Sequence, residues 1–101
     1  MKQKQLEKLF NARIKHCANL LLSKGKEYSD GSDRLRNFYD GSVLLGINPK
    51  QYALSLVTKH IVALKDHIMQ NKEMSDEFID EKISDIINYA ILLEALNKEI
   101  K

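Results

Sequence analysis

The chain has 101 residues, of which 44% are hydrophobic and 30% are charged. This composition is typical of a folded protein, and the length predicts a single domain spanning residues 1–101. The formal net charge of +2 is too small to indicate binding to a nucleic-acid polymer. No stretch approaches the ~18 consecutive apolar residues of a membrane span, and the charged N-terminus does not resemble an export signal. We therefore expect a cytoplasmic protein without membrane contacts. A single cysteine, Cys17, fits a reducing compartment, and its helical phase predicts a buried core thiol.

Four segments carry the hydrophobic period of an α-helix. Apolar residues recur every three or four positions in residues 3–24, 33–45, 49–69 and 76–97. The predicted helix caps are Ser32 or Asp33 for the second helix, Asn48 in a capping box with Gln51 for the third, and Ser75 or Asp76 for the fourth. Gly41 is expected to shorten or break the second helix, because glycine costs about 1 kcal/mol there relative to alanine. Short connections between long helices predict an all-α, antiparallel bundle of four or five helices.

A line of polar residues runs along the last helix. Glu81, Asp85 and Asn88 follow one another at steps of four and three, nearly opposite an isoleucine-rich face. Leu92 continues the line, so we expect this helix to be packed on both sides. Two carboxylates one turn apart repel each other, which predicts a positive partner, either a metal ion or basic side chains. The alternative is an ordinary salt-bridged helix face.

Two further clusters suit an anionic ligand. Lys59 and His60 are adjacent on the central helix, although a lone histidine is more often a core or boundary residue than a metal ligand, and no His/Cys spacing resembles a zinc site. The loop before the second helix places basic residues beside glycine and serine, where backbone N–H groups and arginine can hold phosphate. An aromatic ring there could stack on a base. Taken alone, this loop favours a solvated charged surface over an anion site.

Together these clusters resemble one family. The runs KGKEYSDGSDRLRNF, LVTKH and DEKISDIINYAILLEAL are similar to the small phage and bacterial proteins called nucleotide modification associated domain 1. Those proteins are in turn similar to the all-α nucleoside triphosphate pyrophosphohydrolases typified by MazG and dimeric dUTPases. The resemblance covers about residues 20–97. It implies an oligomeric helical domain with a nucleotide site among its helices, where E-x-x-E and E-x-x-D pairs bind Mg²⁺ in the pyrophosphohydrolases.

The chain departs from the pattern of the pyrophosphohydrolases at the metal ligands. Asp85 is kept, but Lys82 stands where the glutamate of the E-x-x-D pair should be, and the E-x-x-E pair is replaced around Lys59-His60. Glu81 and Asp85 are the carboxylates that remain on the last helix as predicted Mg²⁺ ligands, and Asp66 or a loop carboxylate could add to them. Replacing carboxylates with Lys and His favours direct binding of phosphate over metal-dependent hydrolysis.

These features predict a phage-type protein, acting in the host cytoplasm, that binds a phosphorylated nucleotide in a pocket between helices and between subunits. Such a protein could sequester a nucleotide signal of host defence. The predicted ligand-binding residues are Lys26, Glu27, Tyr28, Arg34, Arg36, Asn37, Phe38, Lys59, His60, Asp85, Asn88 and Tyr89. The alternatives are a Mg²⁺-dependent nucleotide pyrophosphohydrolase or nucleotide-modification accessory enzyme, and a non-catalytic oligomeric interaction module.

Overall fold

The computed structural model describes residues 1–23 and 33–100. Within these ranges the chain forms four α-helices and no strand, which confirms the all-α prediction. The helices are α1 (Gln3–Ser23), α2 (Arg36–Leu45), α3 (Pro49–Met69) and α4 (Asp76–Glu99). The chain divides into two compact units, Met1–Ser32 with α1 and Asp33–Lys101 with α2 to α4. Organisation as one domain stays a prediction.

Helix α1 is amphipathic, as its sequence predicts. Cys17 is buried, with 2% of its surface exposed, which confirms the predicted core thiol. The apolar side chains before it on the same face are far more accessible: Leu6, Phe10 and Ile14 are 49%, 59% and 41% exposed. Burial in the first unit is therefore concentrated at the C-terminal half of α1.

Helix α2 begins differently from the prediction. Its N-cap residue is Leu35, which makes no capping hydrogen bond through its side chain. Asp33 lies in the turn before the helix and does not cap it. Its Oδ1 accepts a hydrogen bond of 2.9 Å from the backbone N–H of Leu35, which stabilises that turn. The alternative cap, Ser32, lies outside the described residues. The helix ends at Gly46, whose φ of 68° is a left-handed conformation that glycine adopts without steric cost.

Helix α2 is the shortest of the four described helices, in line with the prediction, but Gly41 does not break it. The helix is continuous from Arg36 to Leu45. A Cβ atom at position 41 would overlap the aromatic ring of Tyr52 on α3. Glycine at this position therefore allows the backbone of α2 to approach the Tyr52 ring closely, and that close packing outweighs its weak helix propensity.

Replacing Gly41 with alanine is expected to lower the free energy of unfolding by about 1 kcal/mol. Overpacking costs typically 1–3 kcal/mol, and the better helix propensity of alanine offsets about 1 kcal/mol of that. Urea denaturation of Gly41→Ala measures the effect. In a Tyr52→Leu background the same substitution should cost less, because the ring that the new methyl group meets has gone. Stabilisation by Gly41→Ala in the otherwise unchanged protein would contradict this packing.

Helices α3 and α4 begin at the predicted caps. The Asn48 side chain accepts a hydrogen bond of 2.8 Å from the backbone N–H of Gln51, and the Gln51 side chain accepts one of 2.9 Å from the Asn48 N–H. This reciprocal pair is the predicted capping box. At the start of α4, the Ser75 hydroxyl accepts a hydrogen bond of 3.1 Å from the N–H of Phe78. Both helix starts were therefore predicted correctly.

Helices α3 and α4 form an antiparallel pair. Near the start of α3, Lys50 Nζ donates a hydrogen bond of 2.8 Å to Asn97 Oδ1 near the end of α4. Near the end of α3, the His67 ring stacks on Phe78 of α4, with the ring centres 4.0 Å apart. These contacts fix the register of the pair, and α2 packs against α3. The antiparallel prediction is confirmed for α3 and α4.

The core of the second unit lies where α2, α3 and the C-terminal half of α4 meet. Its buried hydrophobic residues are Leu35, Phe38, Ala53 and Leu96. Helix α4 also buries Ser84 and Asn88. On a helix, positions 84, 88 and 96 share the arc that contains the predicted polar line, so α4 packs with that side inward. The isoleucine-rich face on the opposite side is half-buried.

None of the described helices combines the length and the apolar character that crossing a membrane requires.

Candidate functional site

The α3–α4 pair brings His60 and Asp85 together in the middle of the two helices. His60 Nε2 lies 3.4 Å from Asp85 Oδ2, and the two side chains are 16% and 39% exposed. This separation is longer than the 2.7–3.2 Å typical of an N–H···O hydrogen bond. The two residues are 25 positions apart in the sequence, so their proximity follows from the register of the antiparallel pair.

Glu81 lies one turn before Asp85 and completes a group of three. One ligand atom from each of His60, Glu81 and Asp85 can be chosen so that all three lie within 4.8 Å of one another. The Glu81 side chain is 63% exposed, and its Oε1 lies 3.2 Å from the ammonium group of Lys82. Lys82 beside Glu81 is therefore one positive partner of the kind that the polar line predicts, and the imidazole of His60 lies beside Asp85.

Aromatic rings line one side of this group. The Tyr89 ring stacks on His60, with the ring centres 6.0 Å apart and the planes 30° from parallel. Burial, followed by the charge of Asp85, raises the pKa of the Tyr89 phenol above its ordinary value of 10.0. At neutral pH the Tyr89 hydroxyl therefore stays protonated and can donate a hydrogen bond.

Phe38 supports this aromatic side from α2. Its ring meets Tyr89 and Tyr52 edge to face, at centre distances of 6.5 Å and 6.4 Å. Phe38 is only 5% exposed. The structure thus places Phe38 in the core beneath Tyr89, where it leaves little ring surface for the predicted stacking on a base.

Two buried polar groups accompany the site. Asn88, on the same side of α4 as Asp85, is 8% exposed. The Nδ1 atom of His60 is buried and makes no hydrogen bond within the described part of the chain. A buried polar atom without a hydrogen bond costs free energy. Hydrogen bonding through Nδ1 therefore does not set the orientation of the His60 ring.

The remaining predicted ligand residues lie elsewhere or outside the described ranges. Arg36 forms an exposed ion pair with Asp40, at 3.3 Å and one helical turn away. Arg34 is half-buried in the turn before α2, while Asn37 in the first turn of α2 and Lys59 on α3 are exposed. The loop residues Lys26, Glu27 and Tyr28 lie outside the described residues. Of the predicted residues, the structure therefore brings together His60 of α3 with Asp85 and Tyr89 of α4, and Phe38 lies beneath Tyr89.

A second concave region lies between the start of α3 and the end of α4. It is an open groove of about 580 Å³, and the residues that line it include Lys50, Leu54, Ala90, Leu93, Glu94 and Asn97. Sequence reasoning did not identify it. The residues of the His60–Asp85 group do not line this groove.

Comparison of the chain with protein-family models, with curated proteins and with solved structures finds no match in any of the three.

Proposed function

We propose that the protein binds a phosphorylated nucleotide at the group formed by His60, Asp85 and Tyr89. The observation that supports this most directly is that His60 of α3 contacts both Asp85 and Tyr89 of α4, although His60 lies 25 positions before Asp85 in the sequence. The site combines an imidazole, a carboxylate and a phenol with a protonated hydroxyl. Such a combination can contact both the charged and the uncharged parts of a nucleotide.

Each group has a distinct role in this proposal. His60, with the neighbouring exposed Lys59, contacts the phosphates, since both side chains can donate hydrogen bonds to phosphate oxygens. Asp85 and Asn88 accept or donate hydrogen bonds at the base or the sugar. Tyr89 contacts the base through its ring and hydroxyl. Arg34 and Arg36, near the start of α2, add positive charge to the same unit.

The resemblance to the MazG-type proteins extends the proposal to a MazG-like bundle that works as an oligomer, with the nucleotide bound at a subunit interface. Exposed apolar side chains in the second unit support an oligomer. Val43, Leu44 and Leu45 at the end of α2 are 80%, 85% and 62% exposed, and exposed apolar clusters often mark protein interfaces. Sequestration of a nucleotide signal of host defence is the biological role that we propose for such a phage-type protein.

A second candidate function is metal-dependent hydrolysis of a nucleotide. The proximity of Glu81, Asp85 and His60 favours it, because a bound divalent ion could neutralise phosphate charge during attack by water. In that case incubation with nucleoside triphosphates and Mg²⁺ or Mn²⁺ releases pyrophosphate or phosphate, and Asp85→Asn abolishes the release. Turnover that survives Asp85→Asn would exclude Asp85 as a metal ligand in that reaction.

Calorimetry with a panel of mono-, di-, tri- and cyclic nucleotides tests binding. We expect at least one nucleotide to bind, and Asp85→Asn to weaken its affinity about tenfold or more, because hydrogen bonds to a charged group contribute roughly 1.5–3 kcal/mol. Asp66→Asn is the matched control. Asp66, the further Mg²⁺ ligand considered from the sequence, is not part of the group of His60, Glu81 and Asp85. It is 49% exposed and pairs with Lys65 at 3.3 Å, so its replacement should leave the affinity unchanged.

Two results would refute the proposal. One is the absence of binding tighter than about millimolar, or −4 kcal/mol, for every nucleotide in the panel. The other is an equal loss of affinity in Asp85→Asn and Asp66→Asn, which would indicate a general effect of charge rather than a contact at Asp85. Circular dichroism of each variant shows whether the fold is kept.

A further inference from the structure

The group of His60, Glu81 and Asp85 has the donor set of a metal site that contains nitrogen. It offers an imidazole nitrogen and two carboxylate oxygens, all within 4.8 Å of one another. Magnesium prefers oxygen ligands and usually keeps several waters. Imidazole suits zinc and other first-row transition metals, which bind nitrogen and oxygen ligands more tightly than the hard cations do. With His60 among its ligands, this site therefore favours a first-row transition-metal ion over Mg²⁺.

The distance between His60 and Asp85 fits this class of ion. Zinc binds histidine nitrogen and carboxylate oxygen at about 2.0–2.2 Å in tetrahedral geometry, so two of its ligand atoms lie roughly 3.3–3.5 Å apart. His60 Nε2 and Asp85 Oδ2 are 3.4 Å apart. The same separation is long for a hydrogen bond. The two side chains are therefore spaced as two ligands of one ion.

Glu81 can supply the third ligand by a small movement of its side chain. It lies near the start of α4 and is 63% exposed, so its carboxylate is free to rotate toward Asp85. Its present neighbour is Lys82, whose ammonium group lies 3.2 Å from Glu81 Oε1 and 5.8 Å from the centre of the Phe78 ring. A divalent ion bound to Glu81 would place two positive charges beside its carboxylate, in place of the single charge of the Lys82 ammonium group.

We propose that His60, Glu81 and Asp85 bind one first-row transition-metal ion, with Zn²⁺ as the best-fitting member, and that His60 Nε2 is its nitrogen ligand. Three protein ligands leave at least one coordination position for a water molecule or a phosphate oxygen. With the ion bound, the ion takes the place of His60 Nε2 as the contact to phosphate, and this role rests on the proposed function. Its binding to the protein does not, and can be measured without a nucleotide.

Titration of tag-free protein with Zn²⁺ and Mg²⁺, each alone, tests the proposal. We expect one Zn²⁺ to bind per chain. The affinity for Mg²⁺ should be lower than that for Zn²⁺ by a factor of about 100 or more, in line with the preference of imidazole for zinc. Co²⁺ should give visible absorption bands typical of a tetrahedral site. Saturation with Mg²⁺ as readily as with Zn²⁺, or failure of Zn²⁺ to bind, would overturn the assignment.

Variants identify the ligands. His60→Gln should weaken Zn²⁺ binding at least about tenfold. Replacing a residue that only hydrogen-bonds to a metal ligand already lowers metal affinity about 10- to 100-fold, and loss of the ligand itself should cost no less. His67→Gln is the matched control, seven residues along α3, where His67 stacks on Phe78 and its Nδ1 lies 3.0 Å from the Ala63 carbonyl oxygen. Its affinity for Zn²⁺ should stay unchanged. Equal binding by His60→Gln and the unchanged protein would refute the proposed ligand.

A variant that should strengthen binding covers the case in which His60→Gln fails to fold. Lys82→Gln removes the cation that now neighbours Glu81 and should raise the affinity for Zn²⁺ severalfold, because a nearby positive charge opposes a second one. No change or a loss of affinity in Lys82→Gln would contradict a ligand role for Glu81.

The nucleotide panel in the presence of a chelator separates the two proposals. Zn²⁺ binding that depends on His60, without binding of any nucleotide, supports the metal site and refutes the proposed function. Nucleotide binding that survives the chelator, in a protein that does not bind Zn²⁺, refutes the metal site and supports the proposed function.

Discussion

Replacing Leu96 with alanine is expected to lower the free energy of unfolding by about 3 kcal/mol. Leu96 has no exposed surface and belongs to the core that joins α4 to α2 and α3. Leucine-to-alanine changes at buried positions cost roughly 2–5 kcal/mol, through lost transfer free energy and the cavity left behind. For a small domain this is a large share of the total stability. Urea denaturation followed by circular dichroism measures it.

Leu44→Ala is the matched control for this prediction. Leu44 is 85% exposed at the end of α2, so the same chemical change should alter the unfolding free energy by less than about 0.5 kcal/mol. Similar losses for Leu96→Ala and Leu44→Ala would contradict the position of the core. A large loss for Leu44→Ala alone would indicate that Leu44 is covered in solution, as an oligomer would require.

Replacing Phe38 with alanine is expected to lower the unfolding free energy by about 3–5 kcal/mol, the range for buried aromatic residues. Phe38 is 5% exposed, and its ring contacts both Tyr52 and Tyr89 edge to face. Its removal leaves Tyr89 without support beneath the proposed ligand site. The same denaturation experiment measures the stability, and nucleotide affinity should fall as Tyr89 loses its position.

The control for Phe38 is Phe10→Ala. Phe10 lies on α1 and is 59% exposed, so this change should cost less than about 1 kcal/mol. Phe38→Leu separates a core role from direct stacking on a base. Leucine fills much of the cavity, so stability and nucleotide affinity should largely recover. Recovery of stability with complete loss of nucleotide binding would show instead that the Phe38 ring contacts the base.

The helices were predictable because each has a strong local signal. The Asn48 capping box and the Ser75 cap depend on residues within one turn of each other, and both are present in the structure. Gly41 shows where local reasoning fails. Its propensity predicts a weak or broken helix, but the packing of α2 against Tyr52 requires a residue without a side chain. That contact joins two helices and has no local signal.

The candidate site was predictable in part for the same reason. Helical phase predicted that Glu81, Asp85 and Asn88 lie on a packed side of α4. Asn88 is buried, Asp85 is half-buried and the Glu81 side chain is 63% exposed, so the prediction holds for the end of the line and not for its start. Phase could not show which cation faces this line. The contact between His60 and Asp85 depends on the register of α3 against α4, and the phase of one helix contains no information on that register. Helical phase likewise could not show that Phe38 belongs to the core and is not a ligand-binding residue.

Binding of a phosphorylated nucleotide by the His60–Asp85–Tyr89 group is the main proposal. A titration of ¹⁵N-labelled protein with the nucleotide panel, followed by amide NMR spectra, tests it most directly. We predict saturable shifts that are largest at His60, Asp85, Asn88 and Tyr89, and that in Asp85→Asn require a nucleotide concentration about tenfold higher or more. Spectra that do not change up to millimolar nucleotide, or shifts confined to residues away from this group, would contradict it.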